Sequence, residues 1–176
     1  MARRFFYDCE FMEEPGFLDL ISIGVIDESA DSSFYAISLD ANIDRANDWV
    51  KQNVLSKMPP VWDFGPHPGV QAFHRDELRD KLLEYLKPSK ADPVELWGYY
   101  SAYDHVLLCW IFGRMIDLPE GMPMNTLDIK QEMVGLGLKR SALPPEPHAA
   151  HHALADAKWN RDAWIRIQTL KKRMEK

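Results

Sequence analysis

Two carboxylates, Asp8 and Glu10, stand one residue apart in "FFYDCEF", a run that is otherwise mostly aromatic. In a strand, residues i and i+2 point to one face, so the two acids lie side by side while Cys9 and Phe11 face the other way. Burying such a pair without compensation costs several kcal/mol, so something positive must neutralise it. Basic partners, a shared proton or divalent cations would serve, and hard cations take oxygen ligands. A solvated acidic face on an edge strand is the plainer alternative.

"HHALADA", near the other end, adds His151, His152 and Asp156. His152 and Asp156 are spaced i, i+4 and share a helical face; His151 meets Asp156 only where His151 lies in the loop before the helix. A further acid, Asp104, follows "WGYYSAY" and opens a helix behind a buried strand. Singly, Asp104 and Asp156 read as helix caps favoured by the macrodipole. Together, four acids and a histidine are the parts of a two-metal phosphodiesterase. Such a site places two cations about 4 Å apart, one activating water and one stabilising the leaving oxygen. Carboxylates hold the cations, and a histidine accepts the proton of the water. His148, His151 and His152 also raise a zinc reading, but Pro144, Pro145 and Pro147 oppose the helix that reading needs.

These residues must be positioned by a fold. "RRFFYDCEF" reads as a strand that ends at the Pro15-Gly16 break. Leu18–Glu28 and "SSFYAISL" follow as strands, with short polar gaps that predict an antiparallel meander. Helical spacing begins at "DRANDWVKQNVL", with Asp44 as its N-cap. Residues 56–70 carry four prolines and two glycines and read as an irregular loop. Next come an amphipathic helix over about His74–Leu86, a buried strand "VELWGYY", and a helix in "AYDHVLLCWIFGRMI". "NTLDI" reads as a short strand or turn with Asp128 as a cap, and a second proline-rich loop leads into a helix over about His151–Met174. The order predicts an α/β fold, a mixed β-sheet flanked by α-helices, in a single domain over residues 1–176.

A chain of 176 residues is long enough to bury a core, and 46% hydrophobic residues with 6 Trp, 6 Tyr and 8 Phe argue against disorder. No apolar run reaches membrane-spanning length, and "MARR" enters a strand with no signal-peptide core. Two cysteines, Cys9 and Cys109, form no disulfide framework. A reducing, cytoplasmic setting with no membrane contact is expected. The net charge of −6 argues against wrapping a nucleic-acid duplex, yet leaves room for a short strand end held through bound cations.

The sequence resembles the DEDDh 3′–5′ exonucleases of the ribonuclease H-like fold. Their D-x-E strand motif is met by "YDCEF" at Asp8 and Glu10. Their second motif, an Asp opening a helix, is met by "YYSAYDHVLL" at Asp104, and H-x-x-x-x-D by His151 and Asp156. Four intervening residues select His151 over His152 as the family's general base. "LISIGVID", "WVKQNVLSKMPP" and "ELWGYYSAYDHVLLC" are similar to the mycobacterial-type polyadenylate-preferring exoribonucleases. The resemblance implies hydrolysis of RNA from a single-stranded or overhanging 3′ end to nucleoside 5′-monophosphates. It implies two Mg²⁺ or Mn²⁺ ions held by Asp8, Glu10, Asp104 and Asp156, and a homodimer. Many members carry Asn four residues before the second-motif Asp; here that residue is Tyr100.

The residues after D-x-E commonly touch the terminal nucleotide, which makes Phe11 and Met12 the substrate-binding candidates. Met12 shares the parity of the acids and is the better placed, whereas Phe11 also reads as core. Trp62 reads as loop packing, and Lys171, Lys172 and Arg173 as a solvated helix end. Two alternatives stand beside this reading. One is an exonuclease acting on DNA or small oligonucleotides; the other is a catalytically silent RNA-binding module, against which the presence of all five residues argues.

Overall fold

The computed structural model describes residues 2–64, 69–147 and 149–175. Strands β1 (Arg3–Glu14), β2 (Phe17–Asp27) and β3 (Ser33–Ser38) form the antiparallel meander. The β1–β2 turn uses Gly16 at φ +78, the conformation that a Pro-Gly turn demands of its second residue. After helices α1 (Asp48–Asn53) and α2 (Val61–Phe64) come strand β4 (Ala72–Phe73), helix α3 (Arg75–Leu86), strand β5 (Val94–Gly98) and helix α4 (Ala102–Phe112). Strand β6 (Leu127–Asp128) and helices α5 (Ile129–Gly135) and α6 (Ala153–Met174) complete the order. Among the described residues the strands make one six-stranded sheet in the order β4-β3-β2-β1-β5-β6. The β3–β4, β1–β5 and β5–β6 pairs are parallel, so the sheet is mixed and the fold α/β.

Strand parity divides the core between two faces. Phe5, Tyr7 and Cys9 of β1 point to one side, where they pack with Leu78, Leu82 and Leu86 of α3 and with Leu107, Leu108 and Ile111 of α4. Phe6 points to the other side, against Ile129 and Met133 of α5 and Ala157, Ala163 and Ile167 of α6. Asp8 and Glu10 share the parity of Phe6, which commits them to the α6 side. This is the link that matters for the site. The alternation that buries aromatic residues on both faces delivers two acids to the helix that carries Asp156.

Three boundaries differ from the sequence reading. Helix α1 starts at Asp48 because the Asn47 side chain caps it, accepting from Val50 N at 2.9 Å, while Asp44 lies in a preceding 3-10 turn. The proline-rich stretch holds the one-turn helix α2. Within it Trp62 packs as expected, its indole N–H donating to Ser38 O at 3.1 Å. Helix α6 begins at Ala153, leaving His151 outside it at φ +64. Asp128 caps α5 as expected, accepting from Gln131 N at 3.1 Å. No helix among the described residues is long and apolar enough to cross a membrane.

Candidate active site

Strand β5 pairs with β1 only from Arg3 to Phe6. Beyond Phe6 the β1 edge opens a crevice at the carboxyl end of a parallel strand, where open α/β sheets place ligands. Side chains take over its backbone partners. Asn160 Nδ2 of α6 donates to Tyr7 O at 2.9 Å, and Cys9 N donates to Asp104 Oδ1 at 2.7 Å. Asp104 reaches the strand because the turn before α4 is pinned. Ser101 N donates to Asp128 Oδ2 at 3.0 Å, and a Cβ at Gly98 would collide with Ser101.

The third element arrives by close approach. A Cβ on Gly24, the residue opposite Asp8 on β2, would overlap the backbone of Ala153 and Leu154. The bare glycine lets the first turn of α6 lie on the sheet, and Asp156 comes with it. Asp8, Glu10 and Asp156 then present one carboxylate oxygen each, all within 4.8 Å of one another. Asp104 is not in that group of three, but it lines the same cavity of about 600 Å³, as does His151. Hard oxygen donors this close suit a divalent ion such as Mg²⁺ or Mn²⁺.

The electrostatics say the same from another direction. Burial pushes the Asp8 carboxyl well above its ordinary value, and the charges of Asp104, Glu10 and Asp156 push it further. Burial and then Asp156 and Asp104 raise Glu10 to about 8, against a smaller downward pull from Lys57. Asp104 is raised to about 6, chiefly by burial, with the Cys9 N–H holding it back. Burial also raises Asp156, opposed by N–H donation from His152 at 3.1 Å. Cations on the carboxylates would relieve every one of these shifts.

The two histidines part company. His151 turns into the cavity with its ring edge-on to Trp49, centroids 4.8 Å apart, and the neighbouring Ala150 O accepts from Lys57 Nζ at 2.6 Å. His152 stacks on Tyr35 at 4.5 Å, behind the site. His148, the remaining member of the zinc reading, lies outside the described residues. Phe11 lines the cavity and meets Tyr103 edge-on at 6.0 Å. It also packs against the core cluster of Tyr7 and Cys9, and the β1–β2 register shifts between Glu10 and Phe11. Met12, favoured by parity, is 2% exposed and packed with Ile21, Val50 and Val54, because α1 covers the end of the strand.

Sequence reasoning passed over Gly24, Asn160, Trp49 and Arg140, of which the last three line the cavity. Signals existed for the first two: an isolated glycine inside a strand marks a close approach, and Asn160 stands four residues after Asp156 on a helix face of alanines. Asn160→Ala orphans the buried Tyr7 carbonyl at a cost of about 2 kcal/mol. Thermal denaturation should register that as a fall of about 6 °C.

Comparison with known proteins places the chain among relatives. The family model described as the 3′–5′ exoribonuclease Rv2179c-like domain matches residues 3–168. The 3′–5′ exoribonuclease Rv2179c of Mycobacterium tuberculosis H37Rv is 39% identical over 156 residues, spanning 88% of this chain and 87% of that protein. The 3′–5′ exoribonuclease MT2234.1 of strain CDC 1551 matches to the same extent. Among solved structures, E. coli exonuclease I in complex with a dT13 oligonucleotide superposes with a TM-score of 0.62 at 13% identity, over 98% of this chain and 41% of that one. A 3′-exonuclease solved with the histone mRNA stem-loop gives 0.63 at 14%, over 97% and 64%. The Pan2 catalytic unit of Neurospora crassa gives 0.53 at 10%, over 97% and 28%. The chain thus spans less than two thirds of each of these three, and the likeness to them is one of fold, ribonuclease H-like. The chain belongs to the Rv2179c-like 3′–5′ exoribonuclease family.

Proposed function

We propose that this chain removes nucleotides one at a time from the 3′ end of single-stranded or overhanging RNA, releasing nucleoside 5′-monophosphates. In this reading Asp8, Glu10, Asp104 and Asp156 hold two divalent cations, Mg²⁺ or Mn²⁺, and His151 is the general base. The convergence of three carboxylates from β1 and α6 within 4.8 Å is the observation that carries it. Bound cations supply Lewis acidity at the scissile phosphate and lower the pKa of a bound water. His151 accepts the proton of the attacking water, with its ring braced by Trp49 and its loop held by Lys57. Phe11 offers a face to the terminal base. The chain acts as a single domain, in the cytoplasm and as a homodimer.

The test is a 5′-labelled RNA incubated with Mg²⁺ or Mn²⁺ and resolved by gel. The label should move through a ladder shortened from the 3′ end, and excess EDTA should stop it. Matched DNA and dinucleotide arms decide whether the ribose and the strand length are read. His151→Ala should lower kcat by about 10²-fold or more while RNA affinity stays within about twofold. Full activity in EDTA would eliminate the proposal.

A further inference from the structure

The cavity has one wall unlike the others. Tyr100, just past the end of β5, is 63% exposed and its backbone sits at φ +58. A tyrosine enters the left-handed region at an energetic cost, and such outliers gather where a site needs them. The exposed ring returns none of that cost through burial. The backbone has no freedom to relax, because Ser101 is tied to Asp128 and Ala102 N donates to Tyr100 O at 3.0 Å.

Two cations stand near this ring, Lys130 and Arg140, the latter paired with Glu146 at 3.3 Å. Lys130 Nζ stands 5.6 Å from the Tyr100 ring centroid, and Tyr99 meets the ring edge-on at 4.7 Å. Tyr99 leads to Trp159 at 5.1 Å, and the Arg140 guanidinium lies over Trp159 at 4.8 Å. Tyr99, Tyr100, Trp159 and Arg140 all line the cavity that holds the acids. Aromatic faces interleaved with cations are how proteins hold a single strand, by stacking its bases and tracking its phosphates. Phe11, beside Glu10, is already assigned to the terminal nucleotide.

We propose that Tyr100 is the stacking platform for the base of the penultimate nucleotide, with Lys130 and Arg140 taking the phosphates upstream of it. The inference rests on the exoribonuclease reading and deepens it. The preferred substrate is an unpaired RNA end of at least two nucleotides, whose second base must leave any duplex to reach the platform.

The experiment pairs the platform with the base it would hold. Two RNAs are compared, one intact and one with a single abasic ribose at the penultimate position. The wild type should lose about tenfold in kcat/KM on the abasic RNA, the scale of one base–aromatic stack. Tyr100→Leu should lose about as much on intact RNA and nothing further on the abasic one. Tyr100→Phe should stay within about twofold of wild type on both. Tyr100→Asn should leave the melting temperature equal or higher, since Asn enters the left-handed region more easily, while losing turnover on intact RNA. Additive losses, or a melting temperature that falls in Tyr100→Asn, would overturn the assignment and leave the exoribonuclease reading in place. A wild type that shortens neither RNA would remove that reading and the platform with it.

Discussion

Asp8→Asn is expected to abolish RNA hydrolysis and, in the same protein, to raise the melting temperature of the metal-free state. Loss of a single outer-shell partner of a metal ligand costs 10–100-fold, so loss of a ligand that faces three other acids should lower kcat by at least about 10³-fold. The stability change has the opposite sign. Without metal, Asp8 is a charge pressed against Asp104, Glu10 and Asp156, and Asn keeps its shape while removing that charge. Millimolar Mn²⁺ should raise the melting temperature of the wild type by several degrees and that of Asp8→Asn hardly at all, because a ligand stabilises only the state that binds it. Thermal scans in EDTA and in Mn²⁺ read both effects. An equal Mn²⁺ shift in the two proteins would remove Asp8 from the proposed ligand set.

The same carboxylates fix a pH dependence. Glu10 at about 8 and Asp104 at about 6 both lie above the values the unfolded chain would show. The metal-free native state therefore binds more protons than the unfolded state between about pH 4 and pH 8. The contribution of these two groups to stability is fully present below that window and is lost as pH rises through it, by several kcal/mol. Metal binding requires the deprotonated ligands, so the Mn²⁺ contribution should grow over the same interval. In Asp8→Asn the metal-free decline should be shallower.

What could be read from the sequence was local, and what could not was a matter of approach. Asp8 and Glu10 fall on one face because strand parity requires it, and four intervening residues separate His151 from Asp156 in the linear chain. These are short-range facts. Met12 follows the same parity, yet α1 lies over it, and nothing within ten residues of Met12 announces that cover. Helix α1 is placed by Asn47 instead of Asp44, two capping residues three positions apart between which propensity does not choose. The cap at Asn47 sets the helical turn that puts Val50 over Met12 and Ile21. Phe11 keeps the side its parity assigns, packed against the cluster of Tyr7 and Cys9, and still lines the cavity.

Gly24→Ala is expected to cost both activity and stability, although the side chain it adds is one methyl group and Gly24 holds no ligand. That methyl would occupy the space of the Ala153 and Leu154 backbone. Main chain cannot rotate aside as a flexible side chain can, so the first turn of α6 must lift from the sheet. Overpacking of this kind costs about 1–3 kcal/mol, which should appear as a loss of several degrees in melting temperature. The larger effect is on turnover. Asp156 lies two residues beyond Leu154, and a displacement of about 1 Å at a reacting centre can cost about 10²-fold. Gly135→Ala is the matched control, since its added Cβ meets nothing within 4 Å. An alanine in helix α5 should leave kcat unchanged and the melting temperature equal or slightly higher. A Gly24→Ala protein that loses stability and keeps its kcat within about twofold would separate the seat of α6 from the geometry of the carboxylates, and the close approach would then serve packing alone.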